Sequence, residues 1–265
     1  MTTAIEHLSE AWRGREVAWQ VGRRDLRLRY RQTRLGFAWL FAGPVVNALL
    51  FTFVFHRIGK ISTGKTPYFV FSLTGLAAWT LFFQAASRVA GSFVASVALV
   101  TRVRFPRLCL PMSAVISAGA DGGVALLIAL VGVIVIVPSW RIVPGLAGAF
   151  VALVFLAVTA FALGLLVAVL SVRRRDLAQA LPILLQLGLY ASPVGYPPSA
   201  VPHSFRFILD INPVATGVTS FRFFLLGGEA PTYLQILGAG LVVIGLLLLA
   251  LGLFRRVEPS MADVL

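Results

Sequence analysis

Long apolar stretches alternate with short polar segments along almost the whole chain. A helix that crosses a bilayer core of about 30 Å needs about 20 apolar residues, because each residue adds about 1.5 Å. Six stretches reach or approach that length, at 35–56, 68–97, 109–137, 143–171, 177–196 and 232–254. The pattern predicts an all-α integral membrane protein with six transmembrane helices.

The segment 197–231, between the fifth and sixth predicted spans, is apolar but interrupted by prolines. Asn212 followed by Pro213 is a strong helix start, and Gly227 with Gly228 indicates a helix end. So short a helix cannot cross the bilayer. Since irregular backbone at membrane depth must be shielded or face water, we predict re-entrant outer helices that line a pathway; a structural lid is the alternative.

Positive residues are divided unevenly between the two sides of the predicted bundle. Sixteen of the 23 Lys and Arg residues lie before the first span, in the 98–108 loop, between the fourth and fifth spans, and after the sixth. Six lie in the other connections, and Arg88 lies inside a span. Because cytoplasmic loops carry an excess of positive charge, both termini are predicted to be cytoplasmic.

These boundaries divide the chain into a cytoplasmic arm with a basic cluster, 1–34, and a transmembrane domain, 35–265. Within the arm, residues 4–20 place four apolar side chains on one helical face: Ile5, Leu8, Trp12 and Trp19. This stripe predicts an N-terminal amphipathic interface helix. A solvated helix packed on the protein itself is the alternative.

Composition supports the membrane prediction. Hydrophobic residues make up 58% of the chain and charged residues 12%, unlike the mixture typical of soluble domains. The net charge of +13 does not indicate nucleic-acid binding, because the basic residues form short clusters between apolar runs. The single Cys109 excludes an internal disulfide and cysteine-rich metal sites, and no spacing indicates a catalytic triad. We therefore expect no enzyme, no cofactor and no metal in this chain.

Two ionisable residues, Arg88 and Asp121, lie inside apolar runs, where a charge is costly. Both lie at a similar helical distance from the 98–108 loop, so they could pair and lock the second and third helices together. Alternatively, Arg88 reaches a watery cavity while Asp121 caps nearby backbone. Gly119 and Gly123 form a G-x-x-x-G spacing that permits close helix approach, although such spacings are common by chance.

Residues 59–66, Gly-Lys-Ile-Ser-Thr-Gly-Lys-Thr, match the phosphate-loop pattern G-x-x-x-x-G-K-[ST]. A working phosphate loop joins a buried strand to a helix within a soluble α/β domain. This stretch joins two predicted membrane helices on the side away from cytoplasmic ATP. We therefore predict that it does not bind nucleotide.

A basic run precedes the first span: Arg23, Arg24, Arg27, Arg29, Arg31 and Arg34. Contact with anionic membrane lipids and control of topology are sufficient explanations. A second interpretation makes part of the cluster a receptor for phosphate on a lipid-linked substrate, because Arg offers paired donors to phosphate oxygens.

Five pieces of sequence stand out in order along the chain: Arg-Asp-Leu-Arg-Leu-Arg-Tyr-Arg-Gln-Thr-Arg-Leu-Gly at 24–36, Phe-Pro-Arg-Leu-Cys-Leu-Pro at 105–111, Ser-Pro-Val-Gly-Tyr-Pro at 192–197, Asn-Pro-Val at 212–214, and the tail 254–265. In this order and at these positions relative to the six spans, they resemble the ABC type-2 permeases that export O-antigen, capsular or teichoic-acid chains on lipid carriers. The resemblance spans nearly the whole chain and implies a multi-pass protein of the bacterial cytoplasmic (inner) membrane.

The resemblance also implies partners and roles. Two copies would form a homodimer around a central conduit for a lipid-linked glycan, each above a cytoplasmic ABC ATPase subunit that holds ATP and Mg. The 98–108 loop would couple to that ATPase through Arg102, Arg104, Phe105, Pro106 and Arg107. The substrate entrance would hold Arg29, Tyr30, Arg31 and Arg34. The outer gate would include Pro193, Tyr196, Asn212, Pro213 and Arg222.

Three other functions are weighed against this one. A permease of the same architecture could export a small amphiphile or drug. An ATP-independent channel or carrier would need ionisable residues along a pore, for which only Arg88 and Asp121 are candidates. A membrane-embedded enzyme acting on lipid-linked sugars would need carboxylates or histidines clustered at one face, and the sequence indicates no such cluster.

Overall fold

The computed structural model describes residues 15–30, 38–64, 66–97, 99, 105–137 and 142–261. Within these residues the chain is helical and contains no strand, which confirms the all-α prediction. The helices are α1 Arg15–Tyr30, α2 Ala38–Phe51, α3 Tyr68–Ala95, α4 Cys109–Ile136, α5 Ile142–Ser171, α6 Asp176–Ala191, α7 Arg206–Ile211, α8 Pro213–Leu226 and α9 Tyr233–Val257. Helix α2 continues as a π-helical stretch, Thr52–Ile58, and 3₁₀ turns occupy Pro198–Ala200, His203–Phe205 and Glu258–Ser260.

Four of the described helices are long and apolar enough to cross a membrane: Tyr68–Ala95, Cys109–Ile136, Pro144–Ser171 and Tyr233–Ser260. They correspond to the second, third, fourth and sixth predicted spans. The apolar helix Ala42–Ile58 stands in place of the first span, and α6 in place of the fifth, but both are shorter than about 20 residues. The count of six spans therefore stays a prediction.

Helix α6 ends five residues before the predicted limit of the fifth span, at Ala191 rather than at 196. Ser192 has extended backbone angles, φ −111° and ψ 146°, and Pro193 follows it. A residue before proline is disfavoured in the helical region, because the proline ring collides with its backbone. The Ser-Pro pair therefore turns the chain out of α6.

Helix α3 is the centre of the bundle and packs against α2, α4, α5, α6 and α8. Within its most apolar window, 78% of the residues are buried, compared with 22% in α4 and in α9. The outer faces of α4 and α9 consist of exposed leucine, valine and isoleucine side chains. Lipid or a partner subunit must cover such faces, because apolar surface of this extent is unfavourable in water.

Helix α8 has the bounds that its sequence predicts, from Pro213 to Leu226. The Asn212 side chain accepts hydrogen bonds from the backbone N–H groups of Val214 and Ala215, at 3.0 and 3.3 Å. Gly227 ends the helix with φ +72°, a conformation that costs glycine little. The start and the end of α8 are thus fixed by local chemistry.

The bundle has two ends, which are named here after the helices that mark them. The α1 end holds α1, residues 105–108 and the tail Glu258–Met261. The α8 end holds Tyr68 at the start of α3, residues 192–199 and the loop 227–229, and here the Tyr68 hydroxyl donates to the Gly195 carbonyl.

Candidate functional site

At the α1 end, the segment Phe105–Leu108 is held against the C-terminal tail. The Arg107 guanidinium donates a hydrogen bond to the backbone carbonyl of Glu258. Leu108 and Met261, 3% and 0% exposed, lie in one apolar cluster, and Phe105 packs against it. The tail therefore supports the half of the predicted coupling loop that the structure describes; Arg102 and Arg104 lie outside the described residues.

Glu258 and Met261 were not singled out among the sequence-based site residues. The available signal was a large apolar residue, Met261, two positions after Pro259 in a tail that also carries polar residues. It marks a point where the tail returns to the core.

Helix α1 packs on the beginning of α4. Ala18 is fully buried, and a Cβ built on Gly22 would lie 3.0 Å from the carbonyl oxygen of Ser113. Trp19 is 57% exposed, so one apolar side chain of the predicted stripe is free to meet a membrane or a partner. The other three residues of that stripe, Ile5, Leu8 and Trp12, lie outside the described residues.

The predicted substrate entrance falls largely beyond what the structure describes. Arg29 and Tyr30 belong to the last turn of α1, but their side chains are outside the described part, as are Arg31 and Arg34 altogether. The neighbouring Arg23, Arg24 and Arg27 are exposed on α1. Their role in binding phosphate stays a prediction.

Arg88 of α3 and Asp121 of α4 form an ion pair, with side chains 12% and 10% exposed. Arg88 also donates to Gln84 and Ser117, at 3.3 and 3.4 Å. The structure thus brings together the two intramembrane charges rather than leaving Arg88 to a watery cavity. A buried cation matched by a carboxylate costs far less than an isolated one.

The described α3 and α4 helices approach closely at Gly122, which lies between the Gly119 and Gly123 of the G-x-x-x-G spacing. A Cβ built on Gly122 would lie 2.7 Å from Cδ1 of Leu81, whereas Gly119 and Gly123 have nothing within 4 Å of such an atom. Gly119 and Gly123 make no close contact with α3, and the helix approach that their spacing permits stays a prediction.

At the α8 end, Arg222 is 5% exposed and joins three elements. Its Nε donates to the Phe71 carbonyl at 3.1 Å, and its two terminal nitrogens donate to the carbonyls of Pro193 and Val194. The guanidinium lies 3.7 Å from the centre of the Phe71 ring. Burial lowers the pKa of Arg222 to about 9, so the group remains charged at neutral pH.

Gly75 makes room for this arginine. A Cβ built on Gly75 would overlap a terminal nitrogen of Arg222 and lie 2.7 Å from the Val194 carbonyl oxygen. The set Phe71, Gly75, Pro193, Val194 and Arg222 is called the arginine clasp below. It fixes α8 to α3 and to the turn after α6, and it includes two of the predicted gate residues, Pro193 and Arg222.

Two other predicted gate residues make contacts nearby. The Asn212 amide donates to the Ser192 hydroxyl at 3.1 Å, which ties the start of α8 to the end of α6. The Tyr196 hydroxyl donates to the Tyr190 carbonyl at 2.9 Å, and burial raises the pKa of Tyr196. The fifth, Pro213, supplies the first residue of α8.

The loop whose sequence matches the phosphate-loop pattern joins the π-helical stretch after α2 to α3. Its residues Ser62, Thr63, Gly64 and Thr66 line a cavity of about 310 Å³, together with Arg222 and Glu229. A strand before the loop, which a phosphate-binding loop requires, does not occur in the described part of the chain. The described residues also contain no group of three or more His, Cys, Asp or Glu side chains that could hold a metal ion.

The sequence is similar over nearly its full length to proteins that carry a functional name. The O-antigen export system permease protein RfbA of Klebsiella pneumoniae is 26% identical over 249 residues, which cover 91% of this chain and 92% of that protein. The O-antigen export system permease protein RfbA of Myxococcus xanthus is 28% identical over 264 residues, covering 98% and 99% of the two chains.

The family model described as ABC-2 type transporter matches residues 16–226. This range includes α1 from Glu16 onwards, the ion pair between α3 and α4, the arginine clasp and the whole of α8. Because the match covers most of the sequence, the chain belongs to the ABC-2 type transporter family.

Proposed function

We propose that this chain is the transmembrane permease subunit of an ATP-driven exporter that moves a lipid-linked polysaccharide across the bacterial cytoplasmic membrane. The observation that carries the proposal is the similarity, over more than nine tenths of the chain, to two proteins named as O-antigen export permeases. Membership of the ABC-2 type transporter family supports the transport role.

In this proposal the permease has six spans, with α2 and α6 as the short ones, and both termini are cytoplasmic. The α1 end then faces the cytoplasm and the α8 end faces outward. Helices α7 and α8 are re-entrant, since neither is long enough to cross. Two copies form a homodimer, and the exposed apolar faces of α4 and α9 meet lipid or the second copy.

Energy is supplied by a separate ABC ATPase subunit that holds ATP and Mg, while this chain holds no cofactor. The ATPase docks at the α1 end, on residues 102–107 and the exposed face of α1. The C-terminal tail supports this docking surface through Arg107 and Met261. Movement of the docked segment reaches the membrane through α4, which begins directly after it at Cys109.

Substrate enters beside Arg29, Tyr30, Arg31 and Arg34, where guanidinium groups can bind phosphate oxygens of the lipid carrier. The polymer leaves past the α8 end, where Asn212 and the arginine clasp hold α8 in place. Opening of this gate requires α8 to move relative to α3 and to the turn at Pro193.

The proposal is tested by purifying the chain with its ATPase in lipid nanodiscs and measuring ATP hydrolysis with and without lipid-linked glycan. We expect the glycan to stimulate hydrolysis, and we expect Arg31→Gln with Arg34→Gln to weaken that stimulation. If small amphiphiles stimulate hydrolysis and no lipid-linked glycan does, the substrate is a drug-like amphiphile and not a polysaccharide. A chain that transports without the ATPase would refute the proposal.

A further inference from the structure

Two adjoining cavities open at the α8 end, of about 310 and 260 Å³. The first lies between residues 62–64 and 66, the start of α3 and the end of α8, and the second lies between α7, α8 and the start of α9. They share four lining residues: Pro198, Ser199, Thr219 and Glu229. The two cavities together are called the polar recess.

Thr219 lies at the centre of the polar recess and has an unused hydroxyl. Its side chain is 7% exposed and lines both cavities, yet its hydroxyl makes no hydrogen bond to any described residue. The neighbouring hydroxyls on α8 behave differently, since Thr216 donates to the Asn212 carbonyl and Ser220 to the Thr216 carbonyl. The Thr219 hydroxyl oxygen is not closed off from solvent, so water or a ligand in the recess can form hydrogen bonds with it.

The described lining of the recess carries charged groups of both signs. Its described lining contains two cations, Arg206 and Arg222, and two anions, Asp210 and Glu229. Arg222 uses three of its five N–H groups on backbone carbonyls, and Glu229 accepts from the Ser199 amide at 3.2 Å through one of its two oxygens. Among the described lining residues, donors and acceptors therefore remain on both sides, and cations and anions are equal in number.

We propose that the polar recess binds a neutral sugar unit of the exported chain as it leaves the conduit. A sugar hydroxyl both donates and accepts, so it can bond to the Thr219 hydroxyl, to a guanidinium N–H of Arg222 and to the free carboxylate oxygen of Glu229. The rings of Pro197 and Pro198 give the recess an apolar wall for the C–H face of the sugar. The two adjoining cavities together have the volume of a small-ligand site, which suits one or two consecutive sugar units.

This inference rests on the proposed export of polysaccharide. The recess lies at the end of the molecule opposite to residues 105–108 and the C-terminal tail, so a sugar bound there has already passed the membrane. Holding a sugar unit on this side would oppose backward sliding of the chain between cycles of ATP hydrolysis.

The first test measures sugar binding by saturation-transfer NMR on the full-length chain with its ATPase in nanodiscs. The probes are glucose, galactose, mannose, rhamnose and N-acetylglucosamine, with glucuronate and inorganic phosphate as charged comparisons. We expect at least one neutral sugar to bind more tightly than either anion. A preference for glucuronate or phosphate over every neutral sugar would overturn the proposal.

Three variants locate the binding. Thr219→Val keeps the side-chain shape and should weaken sugar binding by roughly two- to tenfold, the effect of one hydrogen bond. Glu229→Gln, at the edge of both cavities, should weaken it to a similar extent and serves as a second probe if Thr219→Val fails to fold. Thr159→Val is the matched control, because Thr159 is 2% exposed, donates to the Phe155 carbonyl and does not line the recess.

Equal sugar binding by the wild type and by a folded Thr219→Val and Glu229→Gln would overturn the inference. A separate readout concerns the proposed function itself, namely whether the wild-type gene restores surface polysaccharide in cells that lack it. If the wild type restores the polymer while the variants bind sugars as it does, only the recess inference fails. If the wild type restores no polymer, the proposed function fails whatever the binding result.

Discussion

The ion pair between Arg88 and Asp121 places a full positive and a full negative charge within the α3 and α4 contact. Removing one partner of such a pair leaves the other charge buried without compensation, which typically destabilises by about 3–5 kcal/mol. We therefore expect Asp121→Asn and Arg88→Met each to lower the Tm of the detergent-solubilised protein by several degrees.

The double variant separates a true pair from two independent contributions. Arg88→Met with Asp121→Asn should be less destabilised than the sum of the two single variants, because no charge is left alone. Exchange of the two groups, Arg88→Asp with Asp121→Arg, should recover part of the lost stability. Additive single effects, with no recovery in the exchange, would contradict the lock between α3 and α4.

Gly75 offers a second prediction at this scale, since its lack of a side chain admits Arg222 into the arginine clasp. Gly75→Ala should displace the guanidinium from the carbonyls of Pro193 and Val194, at a cost of about 1–3 kcal/mol for overpacking. The Tm of the purified protein and the amount of polymer exported should both fall. Gly91→Ala is the matched control, because it lies on the same helix with no atom within 4 Å of the added Cβ.

An unchanged Tm for Gly75→Ala would mean that Arg222 can leave the clasp without cost. Export that falls while the Tm is unchanged would instead place the clasp in the gating motion and remove its structural role. The two measurements are therefore made on the same purified variants.

Individual residues differ in how far the sequence predicts their partners. Arg88 and Asp121 could be paired because they are ionisable residues in apolar helices at similar distances from one connecting loop. The arginine clasp could not, because Arg222 bonds to Phe71, 151 positions earlier in the chain. Its acceptors are backbone carbonyls, which carry no mark in the sequence.

At the scale of elements, local chemistry decides which boundaries can be predicted. Helix α8 has a side-chain cap at Asn212 and a left-handed glycine at 227, so both its ends follow from the sequence. The sequence-based prediction places the end of α6 five residues too late. The apolar run continues to 196, whereas Ser192 and Pro193 have already turned the chain out of the helix. Hydropathy measures affinity for lipid, whereas the Ser192-Pro193 pair determines where the backbone of α6 leaves the helix.

The C-terminal tail is an element whose function can be tested through one buried side chain. Met261 is fully buried in the cluster that contains Leu108. We expect Met261→Ala to loosen the 105–108 segment, because truncation of a buried methionine leaves a cavity that costs about 2–5 kcal/mol in a packed core. ATP hydrolysis by the assembled complex should then continue with less stimulation by lipid-linked glycan.

Met261→Leu is the matched control for this element, since it preserves volume and apolar character. In the Met261→Leu complex, lipid-linked glycan should stimulate ATP hydrolysis as strongly as in the wild type. If Met261→Ala left stimulation unchanged while the ATPase still co-purified, the tail would have no part in positioning the docking segment.

At the scale of the whole molecule, length and charge support different parts of the topology. Four of the described helices are long enough to cross on their own, whereas α2 with its π-helical stretch and α6 need protein neighbours or a thinner membrane at their ends. The orientation of these helices across the membrane is predicted from the distribution of Lys and Arg, of which sixteen lie on the predicted cytoplasmic side. Orientation is therefore a single property on which entrance, docking surface and polar recess all depend.

The orientation is tested with cysteines placed at the two ends of the bundle. Cys109 is the only cysteine and is buried, so Cys109→Ser gives a background that a membrane-impermeant maleimide does not label. Lys60→Cys lies in the loop before α3 and Glu258→Cys in the C-terminal tail. In intact cells, after the outer membrane alone is made permeable, we expect label on Lys60→Cys and none on Glu258→Cys. Lysis should then expose Glu258→Cys, and the reverse pattern would place the docking surface outside, where no ATP could drive it.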